Sequence, residues 1–365
     1  MDERAAMTTP IARLMLLGIV MSAACGNSDG FPLDDGDTNG LTYGSAPTPM
    51  PALEAIPYDA LGSKGRFVFE RIYETGMTSG LQVIDVAART SWGFSGEAYS
   101  APAVSPNGQT IAFSTLSRTL SPPTYYDLYA TDRHGGNLRR LSQNEGQDGF
   151  PAWSPDGSEI YYRIAEGINT NVYRRPLQGD ALLKQQVPVN LHCVDVRGPI
   201  SVSSNRRLLF SAVACTNSAS PVKGYGIYVF NTSGSVVRLI GSDEFKFSLQ
   251  YHVPAWSPDG SEIAFLEHDC DLAVGETPVA RVRLMNADGT GLRTLAELPI
   301  SGCVLQGSWS GYEYALAWSP DGQRIAFNNA VSAMIIHIHV VKRDGTGLTQ
   351  VTTARATDRS LSWSQ

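Results

Sequence analysis

The sequence predicts an all-β fold assembled from repeated units, and three observations lead to this prediction. The chain of 365 residues contains 35 Gly and 21 Pro with 9% aromatic residues, a mixture typical of short strands joined by tight turns. A hairpin motif recurs along most of the chain. The last copy of this motif is divided between the two ends of the chain. One repeat-built domain therefore accounts for the length.

The recurring motif reads as a strand, a turn and a second strand. Its clear copies are PAVSPNGQTIAF from residue 102, PAWSPDGSEIYY from residue 151, PAWSPDGSEIAF from residue 254 and LAWSPDGQRIAF from residue 316. The Ser-Pro-Asp-Gly stretch fits a type I turn, in which Pro presets φ and Gly closes the turn. This turn chemistry explains Asp156, Asp259 and Asp321 better than a set of catalytic or metal-binding carboxylates.

The divided copy predicts a closed ring. LSWSQ at residues 361–365 supplies a first strand and GSKGRFVFE at residues 62–70 supplies a second strand. With a weaker copy, ISVSSNRRLLFSA from residue 200, the hairpins number six and recur every 45 to 62 residues. Closing a ring with strands from both ends removes open sheet edges. The sequence therefore predicts a six-bladed β-propeller with four-stranded antiparallel blades, the last blade closed by strands from both termini.

A second set of hairpins supports the same count and indicates a family. Its clearest members are VRLMNADGTGLRTL from residue 282 and IHVVKRDGTGLTQV from residue 338. The pairing of a WSPDG hairpin with a following DGTG hairpin resembles the TolB-like, WD-repeat-like β-propeller family. The resemblance covers residues 61–365 and implies a bacterial cell-envelope protein with a binding role.

The N-terminus is typical of an export signal. Residues 1–24 carry Arg4 and Arg13, then an apolar stretch, then small residues before Cys25. The SAACG sequence resembles the bacterial lipoprotein box, with Ser22 where that box usually has Leu. We therefore expect residues 1–24 to be a lipoprotein signal peptide, with an ordinary signal peptide as the alternative. Residues 25–60 would form a lipidated Cys25 and a disordered Pro/Gly/Asp-rich stalk.

Charge and cysteine content narrow the possible partners and the compartment. There are 28 Lys and Arg against 35 Asp and Glu, and the net charge of −7 argues against nucleic-acid binding. Without Cys25 the cysteines form an even set of four, which suggests disulfides in an oxidising compartment. The expected pairs are Cys193 with Cys215 and Cys270 with Cys303. We expect an exported monomer, lipid-anchored on the periplasmic side or at the cell surface.

Propellers bind ligands at the mouth of the central channel, where loops that enter the innermost strands converge. The position five residues before each hairpin Trp, or its equivalent, should lie there. That position holds Tyr99, Asp148, Arg197, Tyr251, Glu313 and Asp358. A mixed polar ring suits a peptide, a sugar or a cation, although the same residues could instead tie loops to neighbouring blades.

The function predicted from these features is a non-catalytic envelope propeller that binds a protein or cell-wall component at the channel mouth. The membrane would be reached through the lipid anchor only. No cofactor is expected, although the ring leaves room for a bound cation such as calcium. The alternative is a propeller enzyme, a polysaccharide lyase or hydrolase with a bound cation. His337 and His339 alternate on one strand, and they would bind a metal only if a third ligand faced them.

Overall fold

A computed structural model describes most of the chain from Thr48 onward. The described residues are 48–53, 55–73, 79–95, 100–116, 126–142, 147–166, 169–177, 185–187, 194–214, 225–231, 234–242, 249–269, 277–300, 314–332 and 335–364.

These residues form β-strands and one short helix, α1 (Tyr58–Leu61). The strands, in chain order, are β1 (Thr48–Met50), β2 (Arg66–Tyr73), β3 (Ser79–Asp85), β4 (Thr90–Ser95), β5 (Ser100–Val104), β6 (Thr110–Leu116), β7 (Tyr126–Asp132), β8 (Arg139–Arg140), β9 (Gln147–Trp153), β10 (Glu159–Glu166), β11 (Asn169–Pro176), β12 (Gln185–Gln186), β13 (Val194–Val202), β14 (Leu208–Ala214), β15 (Tyr225–Phe230), β16 (Val236–Ser242), β17 (Leu249–Trp256), β18 (Glu262–Asp269), β19 (Val279–Asn286), β20 (Arg293–Pro299), β21 (Leu316–Trp318), β22 (Arg324–Ser332), β23 (Ile335–Lys342), β24 (Thr349–Gln350) and β25 (Ala356–Ser364).

The strands belong to five sheets in a β-propeller arrangement. Four sheets are four-stranded blades in which neighbours along the chain pair side by side: β5–β8, β9–β12, β13–β16 and β17–β20. The remaining strands form one nine-stranded sheet in the order β1-β4-β3-β2-β25-β23-β22-β21, with β24 paired to β23. Strand pairing is antiparallel in the four blades, as expected for chain-adjacent strands joined by turns.

The prediction of six four-stranded blades is wrong, because the described strands form four separate blades. A parallel bridge between Ile336 of β23 and Thr357 of β25 joins the strands at the two chain ends to β21–β24 in the nine-stranded sheet. Within that sheet β25 pairs antiparallel with β2, from Arg66 opposite Ser364 to Tyr73 opposite Ala356. The hairpin spacing in the sequence carries no information about this bridge, since it depends on how two neighbouring groups of strands approach each other.

Each repeated turn is held by the residues that the motif predicts. In the copy after Trp153, the Asp156 carboxylate accepts hydrogen bonds from Ser154 Oγ at 2.5 Å and from the Ser158 backbone N–H at 3.1 Å. Asp259 repeats the pattern with Ser257 and Ser261, and these hydrogen bonds lower the pKa of Asp259 to about 2. The carboxylates therefore stabilise the turns through hydrogen bonds, as the sequence predicted.

The hydrophobic core lies between the faces of adjacent sheets. Ile227 of β15 packs in one cluster with Trp256 and Phe265 of the next blade, and all three are buried. Near the paired chain ends, the rings of Phe67 and Trp363 meet edge to face with centroids 5.3 Å apart. Burial between sheets, rather than within one sheet, makes each sheet depend on its neighbours.

Glycines of the DGTG turns allow close packing on the preceding blade. Gly289 has φ +87° and Gly345 has φ +86°, in the left-handed region. A Cβ at Gly289 would lie 3.2 Å from the Leu239 carbonyl oxygen, and one at Gly345 would lie 3.3 Å from the Leu295 carbonyl oxygen. Glycine is therefore required at both positions for backbone conformation and for space.

The packed part of the chain begins before residue 61. Thr48–Met50 pairs with β4, and Leu53, Ile56 and Tyr58 pack against the core at the paired chain ends. Residues within 48–53 and 55–60, assigned above to the stalk, thus contact the propeller. The rest of the predicted stalk, the signal peptide and Cys25 lie outside the described residues.

Candidate functional site

The innermost strands surround a central channel. Strands β5, β9, β13, β17, β21 and β25 contact one another in that order, and β25 contacts β5 to complete the circle. Trp153 Nε1 donates to the carbonyl of Ala103 at 2.9 Å, and Trp318 Nε1 donates to the carbonyl of Ala255 at 3.1 Å. These two Trp side chains therefore join β9 to β5 and β21 to β17.

A bulge with an unusual backbone recurs in the inner strands. Ala101, Phe150, Val253 and Ser360 have φ between +47° and +56°, and each lies three residues before the Trp or Val of its motif. The strand register shifts at these positions. A bulge changes the direction in which the side chains on either side of it point. Side chains before the bulge therefore point to a different part of the channel from side chains after it.

The channel contains a cavity of about 450 Å³. The motif residue just before each Trp, or its equivalent, lines this cavity, and these residues are Ala103, Ala152, Ser201, Ala255, Ala317 and Ser362. Prolines from the same strands, including Pro151 and Pro254, also line the cavity. The volume lies within the range of ligand pockets, which are predominantly apolar. The sequence analysis missed these residues, although the repeat alignment marks their shared position.

The predicted mouth residue Asp358 is bound to an arginine of the adjacent strand. The Arg71 guanidinium donates to the two Asp358 carboxylate oxygens at 2.6 and 2.8 Å. Asp358 is fully buried and Arg71 is 5% exposed. Burial would lower the pKa of Arg71, but the Asp358 carboxylate outweighs it and raises that pKa. Asp358 therefore links β25 to its neighbouring strand β2 within one sheet.

The neighbouring cross-strand pair repeats this arrangement with the charges exchanged. Arg359 donates to the two oxygens of Glu70 at 3.0 and 3.1 Å. Burial raises the pKa of Glu70, and Arg359 counteracts that increase. Two oppositely oriented ion pairs thus connect the strands from the two ends of the chain.

Asp148 and Tyr251 are likewise buried within strands. Asp148, 1% exposed, lies in β9 opposite Ile164. Tyr251 stacks on Tyr225 with centroids 5.8 Å apart, and its backbone N–H donates to the Tyr225 hydroxyl at 2.6 Å. Asp148 and Asp358 therefore lie within strands rather than on the loops expected at the channel mouth.

The other mouth residues give less structural information. Arg197 lies in β13 opposite Ser211, while Tyr99 and Glu313 lie outside the described residues. Asp148, Tyr251 and Asp358 do not line the axial cavity, which begins at the bulge and extends toward the WSPDG turns. These three residues and the cavity are thus at different levels of the channel.

Two histidines and a tyrosine pack together where β17 and β18 approach β21. The ring centroids of His268 and Tyr314 are 4.2 Å apart, and those of His252 and His268 are 5.0 Å apart. Burial lowers the pKa of His268 to about 4. His268 is therefore neutral at pH 7 and serves as a packed aromatic side chain.

The histidines singled out as metal candidates have other contacts. His337 Nε2 lies 3.1 Å from the Ala354 carbonyl, and its Nδ1 lies 2.9 Å from Gln350 Nε2. His339 is buried and stacks on Phe327, and burial lowers the pKa of His339 to about 4. Within the described residues, no group of three or more His, Cys, Asp or Glu side chains is placed to hold a metal ion.

The predicted disulfides concern parts of the chain that the structure does not describe. Cys193, Cys215, Cys270 and Cys303 lie outside the described residues, so the disulfide pairs stay predictions. Among the residues that are described, no helix combines the length and the apolar character needed to cross a membrane.

The closed circle of inner strands around an axial cavity defines the protein as a β-propeller, and solved structures show the same fold. TolB from Acinetobacter baumannii matches with a TM-score of 0.62 and 18% identity over 82% of this chain and 66% of that chain. Hydrazine synthase from Kuenenia stuttgartiensis matches with a TM-score of 0.58 and 13% identity, over 84% of this chain and 47% of that chain. A chain of a nidogen/laminin complex gives 0.56 with 9% identity, over 82% of this chain and 99% of that chain.

Sequence comparison also finds a bacterial relative. An uncharacterized protein of Agrobacterium fabrum (strain C58) is 24% identical over 224 residues, which are 61% of this chain and 52% of that protein. The matched part thus spans about half the length of this relative. No protein-family model matches the chain. The structural match to TolB establishes similarity to TolB-like propellers at the level of the fold.

Proposed function

We propose that the protein is a lipid-anchored, non-catalytic cell-envelope propeller that binds a protein or cell-wall partner through its central channel. The observation that carries this proposal is the axial cavity of about 450 Å³ in a propeller similar to TolB. Its wall of Ala and Ser side chains leaves room for a partner group along the axis. The lipoprotein-like N-terminus supports a location in the envelope.

The partner would contact residues that line the cavity near the bulge, rather than the buried carboxylates that precede the bulge in the inner strands. Asp358 is held by Arg71 and is fully buried, so it is a poor contact for a ligand. Ala152 and Ala255 line the cavity and are partly exposed. Apolar surface removed from water at this wall would supply binding energy, and the tether would raise the effective concentration of the propeller near its partner.

The test is to fill the channel with larger side chains and to compare the partners that the variant and the original protein capture. Ala152→Gln and Ala255→Gln place larger side chains on the cavity wall, whereas Ala87→Gln makes the same change at an exposed turn position. We expect partners captured from solubilised envelope by the original protein and by Ala87→Gln to be lost from the double channel variant. Unchanged capture by the channel variant, or turnover of a polysaccharide by the purified protein, would reject the proposal.

A further inference from the structure

A second cavity lies away from the channel, at the turn end of the propeller. It has a volume of about 420 Å³ and is lined by Arg293, Gln323, Arg324, Lys342, Arg343 and Asp344. We call these six residues the basic groove. Four of the six are cations, although the whole chain has a net charge of −7. They come from the start of β20, the start of β22 and the end of β23 with its turn, so positive charge approaches the cavity from different elements.

The arginines of the basic groove are held in place by neighbouring groups. Arg343 Nε donates to Glu262 at 2.6 Å, and the Arg343 carbonyl accepts a hydrogen bond from Arg293 Nη1 at 3.1 Å. Arg324 Nε donates to the Ala60 carbonyl at 3.0 Å. These contacts restrict the side chains before any ligand arrives, which reduces the entropy cost of binding.

The carboxylates near the basic groove leave part of its donor capacity unused. Asp344 accepts hydrogen bonds from the Thr346 N–H and hydroxyl at 2.8 and 2.7 Å. Asp321 and Glu262 lie 3.4 and 3.6 Å from Arg324 and Arg293, and Asp259 lies 3.9 Å from Arg343. Each guanidinium carries five N–H donors, and the contacts of Arg324 use its Nε and Nη1. The Lys342 ammonium is exposed. The hydrogen bonds from Thr346 lower the pKa of Asp344, and the charge of Lys342 adds to this effect.

The geometry of these donors fits a phosphate group better than a single carboxylate. One guanidinium can satisfy a carboxylate through a bidentate hydrogen bond. A phosphate monoester has three acceptor oxygens and a charge of about −1.5 to −2 at pH 7. Cations on three elements can reach such a group from several directions. The cavity is larger than a phosphate ion, and the exposed Gln323 amide can hydrogen-bond a hydroxyl beside it.

We propose that the basic groove binds the phosphate of a sugar phosphate, with the sugar ring beside Gln323. This site is separate from the channel, so it does not depend on the proposed partner there. Titration calorimetry of the purified chain at low ionic strength should detect saturable binding of glucose 6-phosphate, weaker binding of inorganic phosphate and no binding of glucose. Added salt should weaken the interaction, because exposed charges are screened.

The variant Arg293→Gln/Lys342→Gln removes two cations whose side chains are exposed, and we expect it to bind glucose 6-phosphate at least about tenfold more weakly. Arg89→Gln is the matched control, since Arg89 is an exposed arginine on the β3–β4 turn. It should bind as the original protein does. If the double variant fails to fold, Lys342→Gln alone should show a smaller loss in the same direction.

Three results would overturn the proposal. One is a lack of saturable glucose 6-phosphate binding by the original protein. Another is equal affinity in the folded double variant. The third is binding to phosphatidylglycerol vesicles without binding of glucose 6-phosphate, which would place the phosphate on a lipid surface. None of these results bears on the channel, whose test uses different variants and a different ligand.

Discussion

Arg71 and Asp358 lie 287 positions apart in the sequence and form a buried ion pair with two hydrogen bonds, at 2.6 and 2.8 Å. They face each other directly in the pairing of β2 with β25. The pair therefore links the two ends of the propeller and uses a residue that the sequence suggested for ligand binding.

Replacing Asp358 with Ala should destabilise the protein by about 3–5 kcal/mol, because Arg71 would stay buried without its partner. Urea unfolding measures this change. Asp59→Ala is the control, since the Arg89–Asp59 pair is exposed, with side-chain exposures of 57% and 91%, and its loss should be nearly neutral. Equal stability of the two variants would show that the Arg71–Asp358 ion pair does not stabilise the fold.

Removal of residues 361–365 should sharply lower the melting temperature. These residues include Leu361 and Trp363, which are buried in the core at the paired chain ends, and their loss would expose an edge of β2. Thermal unfolding followed by circular dichroism measures the effect. Deleting Gln365 leaves β25 intact as the control, and a similar melting temperature for both deletions would contradict the role of this strand.

Gly289→Ala should cost more stability than Gly234→Ala. Both glycines have similar positive φ, +87° and +89°, so both variants incur the same left-handed backbone strain of roughly 1–2 kcal/mol. At Gly289 the new Cβ also approaches the Leu239 carbonyl at 3.2 Å, whereas at Gly234 none of the described residues has an atom within 4 Å of it. Chemical unfolding of the two variants gives the difference, and equal losses would rule out the inter-blade contact as its cause.

Stability should fall as the pH decreases from about 6.5 toward 4. Burial lowers the pKa values of His268 and His339 from 6.5 to about 4. Between these values the unfolded chain binds more protons than the folded protein, so acid favours unfolding, by roughly 3 kcal/mol for each histidine. Unfolding free energies measured across this range should show a shallower slope for His268→Gln/His339→Gln. An unchanged slope would contradict the assignment.

The sequence alone was sufficient for the all-β class, the turn chemistry and the pairing of the chain ends. These features are local or repeated. Ser154 and Asp156 lie two residues apart, and the two halves of the motif around Phe67 and Trp363 can be recognised by comparing the sequence with the complete copies. Residues close in sequence meet whatever the rest of the fold does, so their spacing predicts their contacts.

Tertiary structure decided the number of separate blades and the roles of the polar residues near the axis. The Ile336–Thr357 bridge merges strands from separate parts of the chain into one sheet. Counting repeats in the sequence does not predict that these two strands come close enough to pair. A bulge recurs in four of the motif copies, three residues before the motif Trp or Val. It turns Asp148 and Asp358 away from the cavity level and exposes Ala152 and Ala255 to it. Side-chain direction past a bulge depends on φ at one residue, which is set by packing between sheets rather than by the spacing of residue types.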